Sequence, residues 1–447
     1  MAVSGLIALH ARAAAPFDVK SYGAVGDGTQ TETAAINTAI DACAKSGGGV
    51  VFFPAGRYLS GTIVLKSHVA IEISAGATLL ASQSPADYPD VIDVWAQGRK
   101  AMAPFIYADD AENITITGRG TIDGQGESWW RPILQAKARR AKGATQPTSQ
   151  PAIEDNGPRG RPQLIRLVNC KDVVIEKINV RNSPSWNIHP LLCENVRVDG
   201  VTITATVPSP NTDGINPESC RNVQIINCRI DVGDDCVTLK SGINELGRAM
   251  GRPDEDITVS NCVMYQGHGG VTIGSEMSGG VRNVTVSNCV FQGTDNGIRI
   301  KSQRGRGGIV EELSVSNIVM QDVPHPFVVT TFYMGKDKPS DVYEVDEGTP
   351  RFRDFLFSNI TARGAKDAGS ITGLKEMPVE NMTFDNVHVQ AERGFTCTNA
   401  KEIVFQDVVI DTTSGPALLL KDCGTIDTAR LKSRVPHDGT SLVETAK

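Results

Sequence analysis

Asn211-Thr212-Asp213-Gly214, Gly233-Asp234-Asp235-Cys236, Gly267-His268-Gly269-Gly270 and Arg299-Ile300-Lys301 are four short polar clusters separated by β-rich runs. Asp213 and Asp234 stand 21 residues apart, Asp234 and His268 34, and His268 and Arg299 31. Each interval is about one turn of a coiled solenoid, so the clusters should stack on one face.

The same rhythm runs along the rest of the chain. Strand starts fall near Val173, Val196, Val223, Ile257, Val284, Leu313, Phe355, Met382 and Ile403, mostly 21 to 34 residues apart, with one gap of 42 before Phe355. Three strands of about five residues plus turns make a coil of that size, whereas a propeller blade needs about 40 to 50 residues and hairpin turns. The expected fold is all-β, a parallel β-helix. Further strands are expected at 50–53, 61–65, 69–73 and 114–117.

Cysteines follow the period too. Cys170-Lys171-Asp172-Val173, Cys193-Glu194-Asn195-Val196 and Cys220-Arg221-Asn222-Val223 repeat one pattern, and Asn227-Cys228, Asn261-Cys262 and Asn288-Cys289 another. They read as small apolar ladders inside the solenoid. No Cys-x-x-Cys pair accompanies them, which weighs against zinc, and a chain of 447 residues with ten cysteines is too long for the even count to imply a disulfide framework.

A solenoid must cover its first coil. Ala35, Ile36, Ala39, Ile40 and Cys43 recur at helical spacing up to Gly47-Gly48-Gly49, and Thr29 with Glu32 fits a capping box, so an N-terminal capping helix is expected. Ahead of it, Ser4 to Leu9 is a short apolar run and Ala11-Arg12-Ala13 resembles a cleavage site, the pattern of a signal-peptide remnant over 1–15 without its charged start. That predicts a secreted or periplasmic protein.

A single β-helix domain is expected over 16–430, with a loosely ordered tail over 431–447. Residues 129–162 and 334–350 break the rhythm and read as long loops leaving the wall. The balance of 44 basic against 51 acidic residues, net charge -7, argues against a nucleic-acid or anionic-membrane partner, and no apolar run approaches a membrane span.

Stacked parallel strands lie about 4.8 Å apart, which would bring Asp213, Asp234, Asp235 and His268 within about 10 Å along the axis. Carboxylates in contact raise one another's pKa, the condition for one protonated acid beside one ionised base. Adjacent strand residues point to opposite faces, so Asp234 and Asp235 reach one cleft only if the backbone turns, and Gly233 permits this. Arg299 and Lys301 share a face and suit an anionic substrate. Taken singly, a solvated Asp-Asp turn, a structural histidine and a surface charge pair are the bland readings; their joint register favours a site.

In this order and spacing the four clusters resemble the signature of the polygalacturonases, glycoside hydrolase family 28. The likeness extends from about Phe17 to the late coils. It implies a right-handed parallel β-helix and cofactor- and metal-independent hydrolysis of α-1,4-galacturonosyl bonds with inversion. Asp234 would then be the general acid, Asp213 and Asp235 would hold and deprotonate the water, and His268 would tune the acid. Arg299 and Lys301, with Tyr333 about one coil later, would bind the galacturonate carboxylate of a polygalacturonate or oligogalacturonide substrate. A monomer is expected.

Asn216 departs from many fungal endo-acting members, which have an aspartate there, and leaves fine substrate preference open. The stretches from Ser183 to Pro190 and from Ile273 to Gly280 look more like bacterial exo-acting members. The two insertions could close one end of the cleft, with Arg131, Arg139, Arg140, Arg159 and Arg161 as contacts for a terminal uronate. Endo action, a calcium-dependent pectate lyase and a non-catalytic carbohydrate-binding β-helix are the competing readings.

Overall fold

Val173, Val196, Val223, Ile257, Val284, Leu313, Phe355, Met382 and Ile403 are Cα partners along one unbroken parallel ladder. Ile114 precedes the row and Ile426 continues it. All nine side chains of the expected row are buried. The period read from the sequence is thus the coil itself, and since parallel crossovers in one sheet turn right-handed, the chain is a right-handed parallel β-helix. The computed structural model describes residues 17–95, 100–141, 160–434 and 441–446.

One residue at each of two corners of the coil is left-handed. Asn195, Asn222, Asn283 and Asn381 occupy the first corner with φ between 52° and 58°, and Asn227, Asn261, Asn288, Asn317, Asn359 and Asn386 the second with φ between 52° and 57°. Asparagine tolerates this region, which costs most L-residues about 1–2 kcal/mol. Its amide also satisfies the neighbouring coil: Asn222 Nδ2 donates to Asn195 Oδ1 at 2.8 Å, and Asn386 Nδ2 to Asn359 Oδ1 at 2.7 Å. Inside, the cysteines pack as small apolar groups; all ten are free and nine are buried. Phe357, Phe384 and Phe405, in register on three coils, stack at 4.9 and 5.3 Å.

The capping helix spans Thr33–Lys45 and buries Ile36, Ala39, Ile40 and Cys43. The expected capping box does not form. Thr29 lies in the strand Asp27–Thr31 and donates to Asp27, while the Glu32 carboxylate accepts from the amides of Val25 and Gly26 at 2.5 and 2.8 Å. Those loop amides have no strand partner, and a buried carboxylate satisfies both.

Other expectations are corrected. The first insertion is not a loop throughout: Glu127–Ala141 is a helix, held by Trp130 Nε1 donating to Ser183 O at 3.0 Å, and its later part, 142–159, lies outside the described residues. The second insertion, 334–350, has no strand and leaves the wall as expected. The tail is ordered where described, since Leu431–Lys432 and Val443–Ala446 pair with the preceding coil. Strand Gly56–Ser60 and helix Asn244–Met250 were not foreseen. Residues 1–15 lie outside the described residues.

One sheet carries the polar clusters. It begins with Ile63–Val64, Ile106–Asp109, Ile165–Val168 and Ile188–Leu191 and passes through single bridges at Ile215. It continues into Val237–Leu239, Val271–Ile273, Asn296–Lys301 and His325–Thr330. Near its N-terminal end an antiparallel hairpin, Asp90–Ile92 with Lys100–Met102, stands over this face.

Candidate active site

The chain bends at 233–234, between strands Arg229–Asp231 and Val237–Leu239. The bend is pinned from the preceding coil, where Thr212 Oγ1 accepts from Gly233 N at 3.0 Å and donates to Ser209 O at 2.9 Å. Asn187 Nδ2 donates to the carbonyls of Thr212 and Asp213. Strand alternation is thereby broken where the sequence required it, and Asp234 and Asp235 face one cleft with Asp213. One oxygen from each of the three carboxylates lies within 4.8 Å of the others.

Gly267 has φ +95°, and a Cβ there would lie 2.5 Å from Asp234 O. This close approach lets His268 N donate to Asp234 O at 3.0 Å while its ring nitrogen Nδ1 sits 3.1 Å from Asp234 Oδ1. The glycine therefore serves the backbone contact more than it clears space for a ligand. On the other side Lys301 Nζ donates to Asp235 Oδ2 at 2.7 Å, and Arg299 lies 3.6 Å from Asp235 Oδ1. Tyr333 closes over both cations, with its ring centre 5.3 Å from Arg299 Cζ and 4.9 Å from Lys301 Nζ. All seven residues expected from the sequence come together.

Electrostatics separates the carboxyls. Burial, reinforced by the charge of Asp234, pushes the Asp213 pKa well above the ordinary carboxylate range. Burial works in the same direction on Asp234, but the hydrogen bond and charge of His268 more than offset it, and Asp234 ends below the ordinary range. The same hydrogen bond raises His268 against its burial. The two shifts run in opposite directions, so in the free protein Asp213 holds a proton more tightly than Asp234, the residue to which the resemblance gives the role of general acid. Asp235 Oδ1 is buried and accepts no hydrogen bond among the described residues.

Of the arginines expected at a chain end, Arg161 alone among the described residues reaches this centre. It donates to Pro184 O and Pro210 O at 2.8 Å and to Asn211 Oδ1 at 2.7 Å, and Asn211 Nδ2 lies 3.5 Å from Asp234 Oδ2. Burial lowers its pKa to about 10 against the pull of Asp213 and Asp234, so it stays charged. Arg131 and Arg139 are exposed on the helix; the Arg140 side chain and Arg159 lie outside the described residues.

Toward the N-terminal coils lies a cavity of about 330 Å³, lined in part by Arg161, Trp186, His189 and Glu276 from stretches the sequence reading singles out and in part by Asp93, Trp95, Arg166 and Glu218, which it does not. His189 Nε2 and Nδ1 meet Glu218 Oε2 at 2.9 Å and Gln163 Oε1 at 2.8 Å, and Lys240 Nζ donates to Glu276 Oε2 at 2.8 Å beneath the Trp186 ring. Register could have found part of it. Arg166 and His189 are Cα partners in the same outward row, as Thr272 and Arg299 are further along.

The family model described as glycosyl hydrolases family 28 matches residues 43–410. A probable polygalacturonase of Vitis vinifera is 33% identical, covering 86% of this chain and 77% of its own length. An endo-polygalacturonase of Pectobacterium carotovorum subsp. carotovorum is 31% identical over 83% of this chain and 87% of its own. Among solved structures, a hyperthermoactive exopolygalacturonase from Thermotoga maritima is 31% identical and superposes with a TM-score of 0.72, covering 86% of this chain and 91% of that one. Clustered carboxylates flanked by cations on a parallel β-helix, and a family match across most of its coils, make this chain a member of glycosyl hydrolases family 28.

Proposed function

We propose that this glycosidase hydrolyses the α-1,4-galacturonosyl bonds of polygalacturonate, releasing sugar from the chain end. The observation that carries the chemistry is three carboxylates within 4.8 Å of one another, bordered by Lys301, Arg299 and His268. Asp235 Oδ1, buried with no hydrogen bond among the described residues and 3.6 Å from Arg299, forms with Asp213 a place for the attacking water, whose proton Asp235 takes. Asp234, the most exposed of the three, faces the glycosidic oxygen as general acid. Substrate binding removes water from Asp234 and brings a further carboxylate near it, and both effects raise its proton affinity. Lys301, Arg299 and Tyr333 receive the uronate.

Inversion is part of the proposal. A single acid and base that admit water between them stand about 6.5–9.5 Å apart, and the 4.8 Å cluster is tighter than that. The inverting reading therefore has the pair Asp213 and Asp235 holding water, with Asp234 on the leaving group. Proton NMR of the first product decides it: the β-anomer supports inversion, and the α-anomer overturns it.

End-trimming rests on the cleft's shape. Its N-terminal end runs into the cavity walled by the hairpin residues Asp93, Trp95, Lys100 and Met102 and by Arg161. Trp95 packs so closely on Gly242 that a Cβ there would lie 2.7 Å from its ring, which fixes the wall to the sheet. The wall thus comes partly from the hairpin, which the sequence reading did not foresee, and partly from Gly160 and Arg161 at the end of the first insertion; 334–350 packs on Arg304 and Arg248. Early release of one short product with little viscosity loss supports this reading, whereas a rapid viscosity drop with a ladder of oligomers overturns it. A polymeric substrate suits action outside the cytoplasm as a monomer. No described helix is long and apolar enough to cross a membrane.

A further inference from the structure

Arg166 is only 7% exposed, lines the cavity, and takes part in no hydrogen bond or ion pair among the described residues; its buried Nε has no acceptor. A buried guanidinium without a counter-charge costs several kcal/mol in general, and such groups are retained where something else supplies the anion. None of the three carboxylates of the lining shares a hydrogen bond or ion pair with Arg166. Glu218 is engaged by His189 and by Gly242 N, Glu276 by Lys240, and Asp93 accepts from Trp95 N.

The position is informative. Arg166, His189 and the coil of Asn216 follow one another in the sheet, so Arg166 lies two coils before the coil of Asp213, about 10 Å along the axis. Arg299 lies two coils beyond the coil of Asp235 on the opposite side. The carboxylate cluster is therefore flanked by a cationic position on each side, and only the Arg299 side is already paired with the cluster. At about 330 Å³ the cavity stands near the lower end of small-molecule sites, about 300–1,000 Å³, fitting one sugar unit and not a length of polymer. Trp186, set edge-on against His189, offers an apolar wall.

We propose that Arg166 binds the carboxylate of the terminal uronate in this cavity, across the scissile bond from the unit held by Arg299 and Lys301. This rests on the end-trimming reading and adds what selects the end unit. The fork of Arg166 meets the two carboxylate oxygens in one plane, so the enzyme distinguishes a free terminal uronate from its ester.

The test compares wild type and Arg166→Gln on trigalacturonate and on the analogue whose released end unit is a methyl ester. The wild type should prefer the free acid by about 30-fold in kcat/KM, the weight of a charge-assisted hydrogen bond. Arg166→Gln should lose about that factor on the free acid, mainly through KM, and no longer distinguish the two. Its Tm should equal or exceed that of the wild type, because an unpaired buried charge has been removed. A variant that still discriminates fully, or that loses Tm and both activities alike, overturns the assignment. Products from polygalacturonate separate the two claims: a ladder of oligomers from the wild type overturns end-trimming and with it a terminal occupant. A single released unit together with undiminished discrimination in Arg166→Gln overturns only the role of Arg166.

Discussion

Lys301 Nζ donates to Asp235 Oδ2 at 2.7 Å across 66 residues of sequence, and both side chains are buried. Removing one partner of a buried pair costs more than the pair contributes, typically about 3–5 kcal/mol, because a charge is left unmatched. Lys301→Ala is therefore expected to lower Tm as well as kcat/KM on polygalacturonate, with KM rising. Unchanged kcat/KM in the folded variant would make the pair purely structural.

Asp234→Asn keeps the side-chain shape and removes the proton donor. We expect kcat to fall about a hundredfold or more with little change in KM, the usual weight of a general acid. Because burial and the charge of Asp234 raise the pKa of Asp213, Asp213→Asn tests the alternative. If it abolishes the basic limb of the pH profile while Asp234→Asn leaves kcat near normal, the acid role passes to Asp213.

The pair of His268 and Asp234 has a defined pH window. The lowered pKa of Asp234 contributes stability that is present above its ordinary value of 3.8 and is lost as pH falls through the lowered one. The raised pKa of His268 contributes stability that is full below 6.5 and is lost as pH rises through the raised one. NMR titration of the His268 ring should give a midpoint above 6.5 in the wild type. In Asp234→Asn the midpoint should fall, since burial then acts with its strongest opposition removed. A midpoint that does not move would show that the two groups are not coupled in solution.

The corner asparagines make a stability prediction. Asn222→Ala places alanine at φ 57° and removes the bond to Asn195, so a loss of about 1–2 kcal/mol in chemical denaturation is expected from the left-handed conformation alone. Asn222→Gly recovers the conformation but not the bond, and its loss should be smaller. Equal losses would mean that the ladder of amides, not the backbone, makes asparagine the residue of choice.

A calcium-dependent lyase on the same fold would need a cation among the carboxylates. The cluster could accept one by geometry, but Lys301 already holds an oxygen of Asp235. Reducing-end release should therefore persist in a chelator, without the absorbance of an unsaturated product. Loss of activity on chelation would favour the lyase.

Much was legible in the sequence because a solenoid repeats a local rule. One buried residue per coil, recurring mostly every 21 to 34 residues, placed Val173 through Ile403 in a single ladder, and intervals of the same size stacked Asp213, Asp234, Asp235, His268, Arg299 and Lys301. The repeated Asn-Cys and Cys-x-Asn motifs were seen for their cysteines, while the asparagines turn the corners; left-handed backbone leaves no hydrophobic period to read. Tertiary structure alone decided which side chains line the N-terminal end of the cleft. Trp95 meets Gly242 and Arg161 meets Asn211 through loops whose side chains follow no period, and the burial of Arg166, itself on a strand, depends on what folds over it. Strand periodicity fixes which residues share a row, because neighbouring coils pair every backbone group; it says nothing about which loop folds over that row, since those contacts depend on packing between segments far apart in the chain.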